Sequence, residues 1–148
     1  MYKPIYPLPS MAQEDEMGVY APFIHQRIIA QLTAGLYPLY KSGQIPYEPL
    51  PEMMLSEGYA TPVPDLMLFE YQTDQTKIII EICHTRGQKH DLSKVVTLID
   101  EDIYGILEGF VYNYKTGDWF RYRKGDGGLT EPSSFSEILQ LDLNAFLQ

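Results

Sequence analysis

The chain has 148 residues, of which 45% are hydrophobic and 21% charged. This composition fits one globular domain and excludes a disordered chain or a coiled coil. The net charge of −9 argues against a generic nucleic-acid coat protein, and the single cysteine excludes an internal disulfide.

The first predicted elements are an extended lead-in and a helix. Residues 1–21 are rich in proline and lack the apolar core of a signal peptide, and no apolar run approaches the roughly 20 residues of a membrane helix. We therefore expect a soluble, cytoplasmic protein with a single domain over residues 1–148. From Pro22 onwards, apolar residues recur every four positions, which predicts a helix that Pro38 should end or kink.

A hairpin is predicted in the middle of the chain. The prolines of residues 43–62 permit only an edge strand or a loop. Residues 63–69 and 77–83 are apolar enough for two strands, joined by a polar segment. If this hairpin is symmetric about Thr73, residue 67 faces residue 79 and residue 69 faces residue 77.

The next predicted element is a second helix. Residues 85–90 form a polar loop, after which Asp91 can cap the N-terminus of the helix. The apolar pattern carries the helix to about Ile103, and Gly105 can stop it.

Two strands and a last helix complete the prediction. Aromatic segments at 110–114 and 119–123 flank a turn and are typical of a second hairpin. Ser134 and Glu137 have the spacing of a capping box, which predicts a C-terminal helix over residues 133–148. The order of helix, extended segment, hairpin, helix, hairpin and helix indicates an α+β fold with helices layered on a sheet.

Two carboxylates fall opposite each other in the first predicted hairpin. Its symmetry places Asp65 against Glu81, with Cβ atoms about 4.5–5.5 Å apart on one face of the sheet. Like charges so close destabilise a fold unless they share a proton or a cation. Paired carboxylates suit Mg²⁺, which also keeps water and substrate phosphate as ligands. The pair therefore predicts a site for Mg²⁺ or Mn²⁺.

Two further residues are predicted to lie near this pair. Cys83 projects from the same face as Glu81 and would line the site. Lys94, one turn after Asp91, could reach the carboxylates and stabilise charge on a phosphoryl group or help deprotonate water. Simpler interpretations stay open: Asp65 could cap a turn, and Glu81 could form a structural ion pair with Lys94.

The order of these motifs resembles a known signature. Pro64-Asp65, followed by Glu81-Ile82-Cys83 sixteen residues after the aspartate, is similar to the motif of PD-(D/E)XK nucleases. The resemblance is closest to the Uma-type restriction endonuclease family, in which a Pro-Asp strand leads to a Glu-bearing strand, a polar loop and a helix.

The resemblance extends to both predicted helices. Asp91 and Lys94 fall in the order of the Asp and Lys that the family carries on a helix, and His25-Gln26 is similar to the start of its first helix. The chain departs from the superfamily at Cys83, where a lysine is usual, and Lys94 is the natural substitute.

The resemblance implies a fold and a chemistry. The fold would be a restriction-endonuclease-like core, with a central mixed β-sheet flanked by helices. Asp65 and Glu81, helped by the backbone carbonyl of Ile82, would hold a divalent metal that activates water for phosphodiester hydrolysis. Lys94 would be the catalytic cation.

The distribution of charge is compatible with DNA as the substrate. Eight of the eleven basic residues lie within residues 77–124, beside only seven of the twenty acids. Arg86 and Lys89 flank the predicted site and are predicted contacts to DNA phosphates. His25 is a further candidate contact, although a surface or structural role is an open alternative.

Two functions follow from these features. The first is a metal-dependent endonuclease that hydrolyses DNA, expected to act as a homodimer with two sites for two strands. The alternative is a non-catalytic interaction domain that keeps the nuclease fold without a complete active site. The missing lysine at Cys83 and the acidic surface favour the alternative. The family also has a glutamate before its first helix, and Glu14 or Glu16 is the candidate for that position here.

Overall fold

The computed structural model describes residues 21–56 and 61–147, which form a mixed six-stranded sheet with one helix on each face. Short 3₁₀ helices occupy Thr85–Gly87 and Leu143–Leu147. The other elements in chain order are α1 (Ala21–Lys41), β1 (Tyr47–Pro51), β2 (Leu66–Glu70), β3 (Gln75–Cys83), α2 (Gln88–Glu101), β4 (Glu108–Asn113), β5 (Asp118–Arg123), β6 (Glu131–Pro132), β7 (Phe135–Ser136) and β8 (Leu141–Asp142).

The strands of the large sheet follow the order of the sequence, from β1 at one edge to β6 at the other. β3 and β4 are parallel and are connected through α2, whereas all other neighbours in this sheet are antiparallel. The arrangement confirms the predicted α+β fold with a central mixed sheet flanked by helices. No helix within the described ranges is long and apolar enough to cross a membrane.

Alternating side chains of the strands build two separate cores. The helix α1 packs Ile29, Leu32 and Leu36 against one face of the sheet, and α2 packs Val95 and Ile99 against the other. Because both faces are covered, β3 is buried along most of its length, which explains its continuous run of isoleucines.

The first predicted helix is confirmed, but it does not end at Pro38. α1 continues to Lys41, and the Pro38 carbonyl still accepts a hydrogen bond from the N–H of Ser42 at 2.9 Å. Pro38 removes only one hydrogen bond, and this lies near the end of the helix. Leu39 and Tyr40 also pack against the core between α1 and the sheet. The predicted lead-in over residues 1–21 lies outside the described residues, apart from residue 21, which belongs to α1.

The strand β1 is the edge strand that the prolines permit. The N–H of Glu52 donates to the Asp65 carbonyl, so the amides of the even-numbered residues here point towards β2. Pro49 and Pro51 fall at the alternate positions, where a missing N–H costs no ladder hydrogen bond. They also remove two donors from the outer edge, which protects it against edge-to-edge pairing. The expected homodimer stays a prediction.

The register of the first hairpin is confirmed in part. Met67 pairs with Ile79, as the symmetry about Thr73 requires. A bulge at Leu68/Phe69 then shifts the register, so Phe69 pairs with Thr76 and not with residue 77. The error lies next to the turn, and the register on the side of Asp65 and Glu81 is the predicted one.

The helix α2 begins and ends earlier than predicted. It starts at Gln88, so Gly87 is the N-cap and the prediction that Asp91 caps the helix is wrong. The side chain of Asn113 donates to Thr85 and Gln88 and so ties the start of the helix to the end of β4. The helix stops at Glu101, before the predicted stop at Gly105, because Asp102, with φ of 54°, adopts the left-handed conformation of a helix C-cap.

The second hairpin is confirmed, since β4 and β5 pair in antiparallel fashion with Phe110 opposite Arg121. The C-terminal helix predicted over residues 133–148 is wrong. β7 and β8 pair there instead, followed by the 3₁₀ helix. The reason is a buried carboxylate: Glu108 accepts hydrogen bonds from the Ser136 hydroxyl at 2.6 Å and from the N–H of Glu137 at 2.9 Å. The Ser134 hydroxyl donates to Asp142, so neither member of the predicted capping box caps a helix.

Candidate active site

Four elements bring charged side chains together beside the start of β2. Asp65 immediately precedes β2, Glu81 lies in β3, Lys94 lies in the second turn of α2, and His25 lies near the start of α1. The pairing of Leu66 with Ile80 carries Asp65 next to Glu81. The structure therefore brings together the three residues that the sequence marks as candidate catalytic groups.

Asp65 is held in one orientation by two donors. Its Oδ2 atom accepts a hydrogen bond from the N–H of Ile82 at 2.7 Å and lies 3.1 Å from Nε2 of His25. Burial acts to raise the pKa of Asp65, but these hydrogen bonds outweigh it and hold the pKa below its usual value. Asp65 is therefore an ionised carboxylate at neutral pH.

Glu81 is placed where its negative charge is disfavoured. Its side chain is only 4% exposed, and its Oε2 atom lies 3.1 Å from Nζ of Lys94. Burial and the charge of Asp65 raise the pKa of Glu81 to about 8, although Lys94 opposes the shift. The pKa values of the two carboxyl groups shift in opposite directions, so Glu81 holds a proton at neutral pH while Asp65 stays ionised.

The oxygen atoms of this pair fit a hard divalent cation. In a strand, the N–H and C=O of one residue point to the same side, so the Ile82 carbonyl is directed to the side on which its N–H meets Asp65. Within residues 21–56 and 61–147, no group of three or more His, Cys, Asp or Glu side chains could hold a metal. Two carboxylates and a carbonyl suit Mg²⁺, which retains several waters.

His25 is a partner of Asp65, a role that sequence reasoning missed. The hydrogen bond to Asp65 raises the pKa of His25, against the effect of burial. Forty positions separate the two residues in the sequence, and a lone histidine on a helix carries no signal of its partner. The predicted contact of His25 with DNA stays a prediction.

We expect His25→Leu to weaken Mn²⁺ binding by about tenfold or more, because partners that orient a ligand commonly contribute that much to metal affinity. His25→Gln keeps an N–H donor and should restore most of the affinity. Calorimetric titration of Mn²⁺ measures both variants, with Arg27→Ala at an exposed position of α1 as the control. Equal affinities of the His25→Leu variant and the wild type would contradict this positioning role.

Asp91 faces the site and does not cap α2. Its carboxyl group is half-buried, and burial together with the charge of Asp65 raises its pKa. Lys94 follows three positions later on the same face of the helix. The three-residue spacing of Asp91 and Lys94 indicates that both side chains point towards the sheet. Interpreting Asp91 as the N-cap excluded this for Asp91.

Cys83 lies on the predicted face of the sheet but does not line an open site. It is buried beneath α2 with Met67, Ile79 and Val95. Burial raises the pKa of the thiol to about 12, so it stays neutral, and unlike a lysine at this position it cannot supply a positive charge near Glu81. Lys94 is accordingly the cation that contacts the carboxylates.

The two predicted phosphate contacts lie beyond the carboxylates. Arg86 belongs to the 3₁₀ turn before α2, and Lys89 lies in the first turn of the helix. Both side chains are exposed. Their contact with DNA stays a prediction.

Comparison with known proteins defines the class of fold. No family model matches the sequence, and no curated protein matches it. A candidate nuclease belonging to DUF820 from Anabaena variabilis superposes with a TM-score of 0.64 and 15% sequence identity, over 82% of this chain and 79% of its own. The type IIG restriction endonuclease BpuSI superposes with a TM-score of 0.51 and 18% identity, over 84% of this chain but only 13% of that much longer protein.

These likenesses show a restriction-endonuclease-like fold. The DUF820 protein matches over most of both chains, whereas this chain corresponds to a small part of BpuSI. At such low identity the superpositions establish the arrangement of the sheet and helices, and they assign no residue a role.

Proposed function

We propose that this protein is an endonuclease that hydrolyses phosphodiester bonds of DNA with the help of Mg²⁺ or Mn²⁺. One observation carries the proposal. Asp65 and Glu81 are held together, one ionised and one buried, with Lys94 at 3.1 Å from the buried carboxylate. Replacing a buried charged pair by apolar residues is often neutral or stabilising, so a pair that is kept here favours a functional site.

Each group of the candidate site has a role in the proposed chemistry. Asp65, Glu81 and the Ile82 carbonyl would hold the cation, which polarises the phosphodiester and lowers the pKa of bound water when it is present. His25 keeps Asp65 ionised and oriented. Lys94 stabilises the negative charge that develops on the phosphoryl oxygens.

Two further features support DNA as the substrate. The structural neighbours are a candidate nuclease and a restriction endonuclease. Arg86 and Lys89 are exposed around the start of α2, and we propose that they contact phosphates. The order of Pro64-Asp65, the Glu81 strand and the Lys94 helix supports the further proposal that the chain belongs to the Uma-type family.

A second candidate is an interaction domain that keeps the fold without catalysis. The observation that favours it is the buried, neutral thiol of Cys83 at the position where the superfamily usually has lysine. The two candidate functions differ in whether a bound substrate is hydrolysed. Only the nuclease needs Lys94 and the carboxylates to act on that substrate.

The test is hydrolysis of end-labelled single-stranded and duplex DNA in Mn²⁺, in Mg²⁺ and in a chelator. The Asp65→Asn protein, purified in parallel, controls for contaminating nuclease. We expect cleavage by the wild type that requires a divalent cation, with at least a hundredfold loss in the variant. Equal cleavage by the two proteins, or none by either, would overturn the proposal and favour the interaction domain.

A further inference from the structure

A small pocket opens beside the carboxylates, at the carboxyl ends of the parallel strands β3 and β4. It has a volume of about 240 Å³ and is lined by Pro22, His25, Ile82, His84 and Tyr114. His84 directly follows β3, and Tyr114 directly follows β4. In mostly parallel α/β sheets, ligands bind outside the carboxyl ends of the strands, and β3 and β4 are the parallel pair of this sheet.

The pocket shares a wall with the candidate active site. His25 lines it and also lies 3.1 Å from Oδ2 of Asp65. Ile82 lines it and donates its N–H to the same oxygen at 2.7 Å. A ligand whose phosphate lies at the carboxylates therefore has its neighbouring groups next to this pocket.

The lining is suited to a flat aromatic ligand and not to a phosphate. The rings of His84 and Tyr114 pack edge to face, with centroids 5.9 Å apart and planes at 75°. Among the described residues, no lysine or arginine lines the pocket, and its remaining surface comes from Pro22, Ile82 and His25. Nucleobases stack on such rings regardless of their sequence.

Hydrogen bonds hold the ring of His84 and the main chain of Tyr114 in place. The Nδ1 atom of His84 accepts a hydrogen bond from the N–H of Arg86, and the N–H of Tyr114 donates to the Cys83 carbonyl. The Nε2 atom of His84 is buried and has no hydrogen-bond partner in the part of the chain that the structure describes. A polar ligand edge or an ordered water is what such a group needs.

We propose that this pocket binds an unpaired nucleobase next to the phosphodiester that is hydrolysed, which makes single-stranded or locally opened DNA the substrate. The inference rests on the proposed nuclease function. The net charge of −9 supports it, because an acidic protein gains little from phosphate contacts alone and needs another source of affinity.

The test is the affinity for a fluorescently labelled single-stranded oligothymidine, measured by anisotropy in a chelator, where no hydrolysis occurs. We expect Tyr114→Leu to weaken binding about tenfold and Tyr114→Phe to bind as the wild type does. Tyr71→Leu, at an exposed position of the β2–β3 turn, is the matched control. We also expect a duplex of the same length to bind more weakly than the single strand.

The outcomes separate the pocket from the nuclease function. Unchanged single-strand binding by Tyr114→Leu, with its Mn²⁺ binding and melting temperature retained, would overturn the base pocket even if the wild type cleaves DNA. Loss of binding in Tyr114→Leu that Tyr114→Phe restores supports the pocket, even if no protein cleaves DNA and the nuclease function fails.

Discussion

Glu81→Gln is expected to raise the free energy of unfolding of the metal-free protein by about 1–3 kcal/mol at pH 7 while removing Mn²⁺-dependent hydrolysis. The glutamate is buried beside the ionised Asp65, so its charge is unfavourable in the fold. Glutamine has nearly the same shape and can still donate a hydrogen bond to Asp65, but it cannot serve as an anionic metal ligand.

The stability gain should depend on pH in a defined direction. The fold raises the pKa of Glu81 from 4.5 to about 8, so between these values the folded state holds a proton that the unfolded state has released. The contribution of Glu81 to stability therefore falls as pH rises through this window. We expect the advantage of Glu81→Gln to be small below pH 4.5, to grow with pH, and to level off above pH 8.

Thermal and denaturant unfolding in a chelator measure this difference at several pH values. Glu101→Gln, at the exposed end of α2, removes the same charge from the surface and should stay within about 0.5 kcal/mol of the wild type. A Glu81→Gln protein that is less stable than the wild type at pH 7 would show that the glutamate is a structural partner of Lys94.

Lys94→Met is expected to lower the rate of hydrolysis by about 10²–10³ while leaving Mn²⁺ affinity equal or higher. The ammonium contacts Glu81 at 3.1 Å, so its removal takes a positive charge away from the site that the cation would occupy. The loss should fall on kcat, because Lys94 is proposed to act on the charge that develops in the transition state.

Steady-state cleavage of labelled DNA and calorimetric titration of Mn²⁺ separate the two effects. Lys41→Met, at the exposed end of α1, is the control for a lost surface lysine. Full activity of the Lys94→Met protein would show that Lys94 has no role in hydrolysis. A large loss of Mn²⁺ affinity would instead indicate that the ion pair of Lys94 with Glu81 holds the site together.

The sequence predicts the central part of the fold because its signals there are local. Two apolar strands around a polar turn determine the register near Asp65, and the face of β3 that carries Glu81 follows from the alternation of side chains. The bulge at Leu68/Phe69 could not be predicted from the apolar pattern of the sequence. The prediction of a C-terminal helix is wrong because the Ser136 hydroxyl and the Glu137 N–H donate hydrogen bonds to Glu108, which is buried and distant in the sequence.

In the site, too, the contacts that follow from local patterns could be predicted, and those between distant elements could not. Asp65 and Glu81 are neighbours on paired strands, so the sequence could place them together, and the position of Lys94 on α2 followed once a helix was expected to pack on that face. The contact of His25 with Asp65 depends on how α1 crosses the sheet. No periodicity in the sequence encodes that crossing.

The most direct test of the metal site is calorimetric titration of Mn²⁺ into the wild type and the Asp65→Asn protein. We expect one site in the wild type and at least a tenfold weaker site in the variant, because Asp65 is the ionised member of the pair. The same titration is repeated with oligothymidine present, because a phosphate of the substrate would be a further ligand of the metal. Equal binding by the two proteins, or no binding in either condition, would contradict the metal site at Asp65 and Glu81.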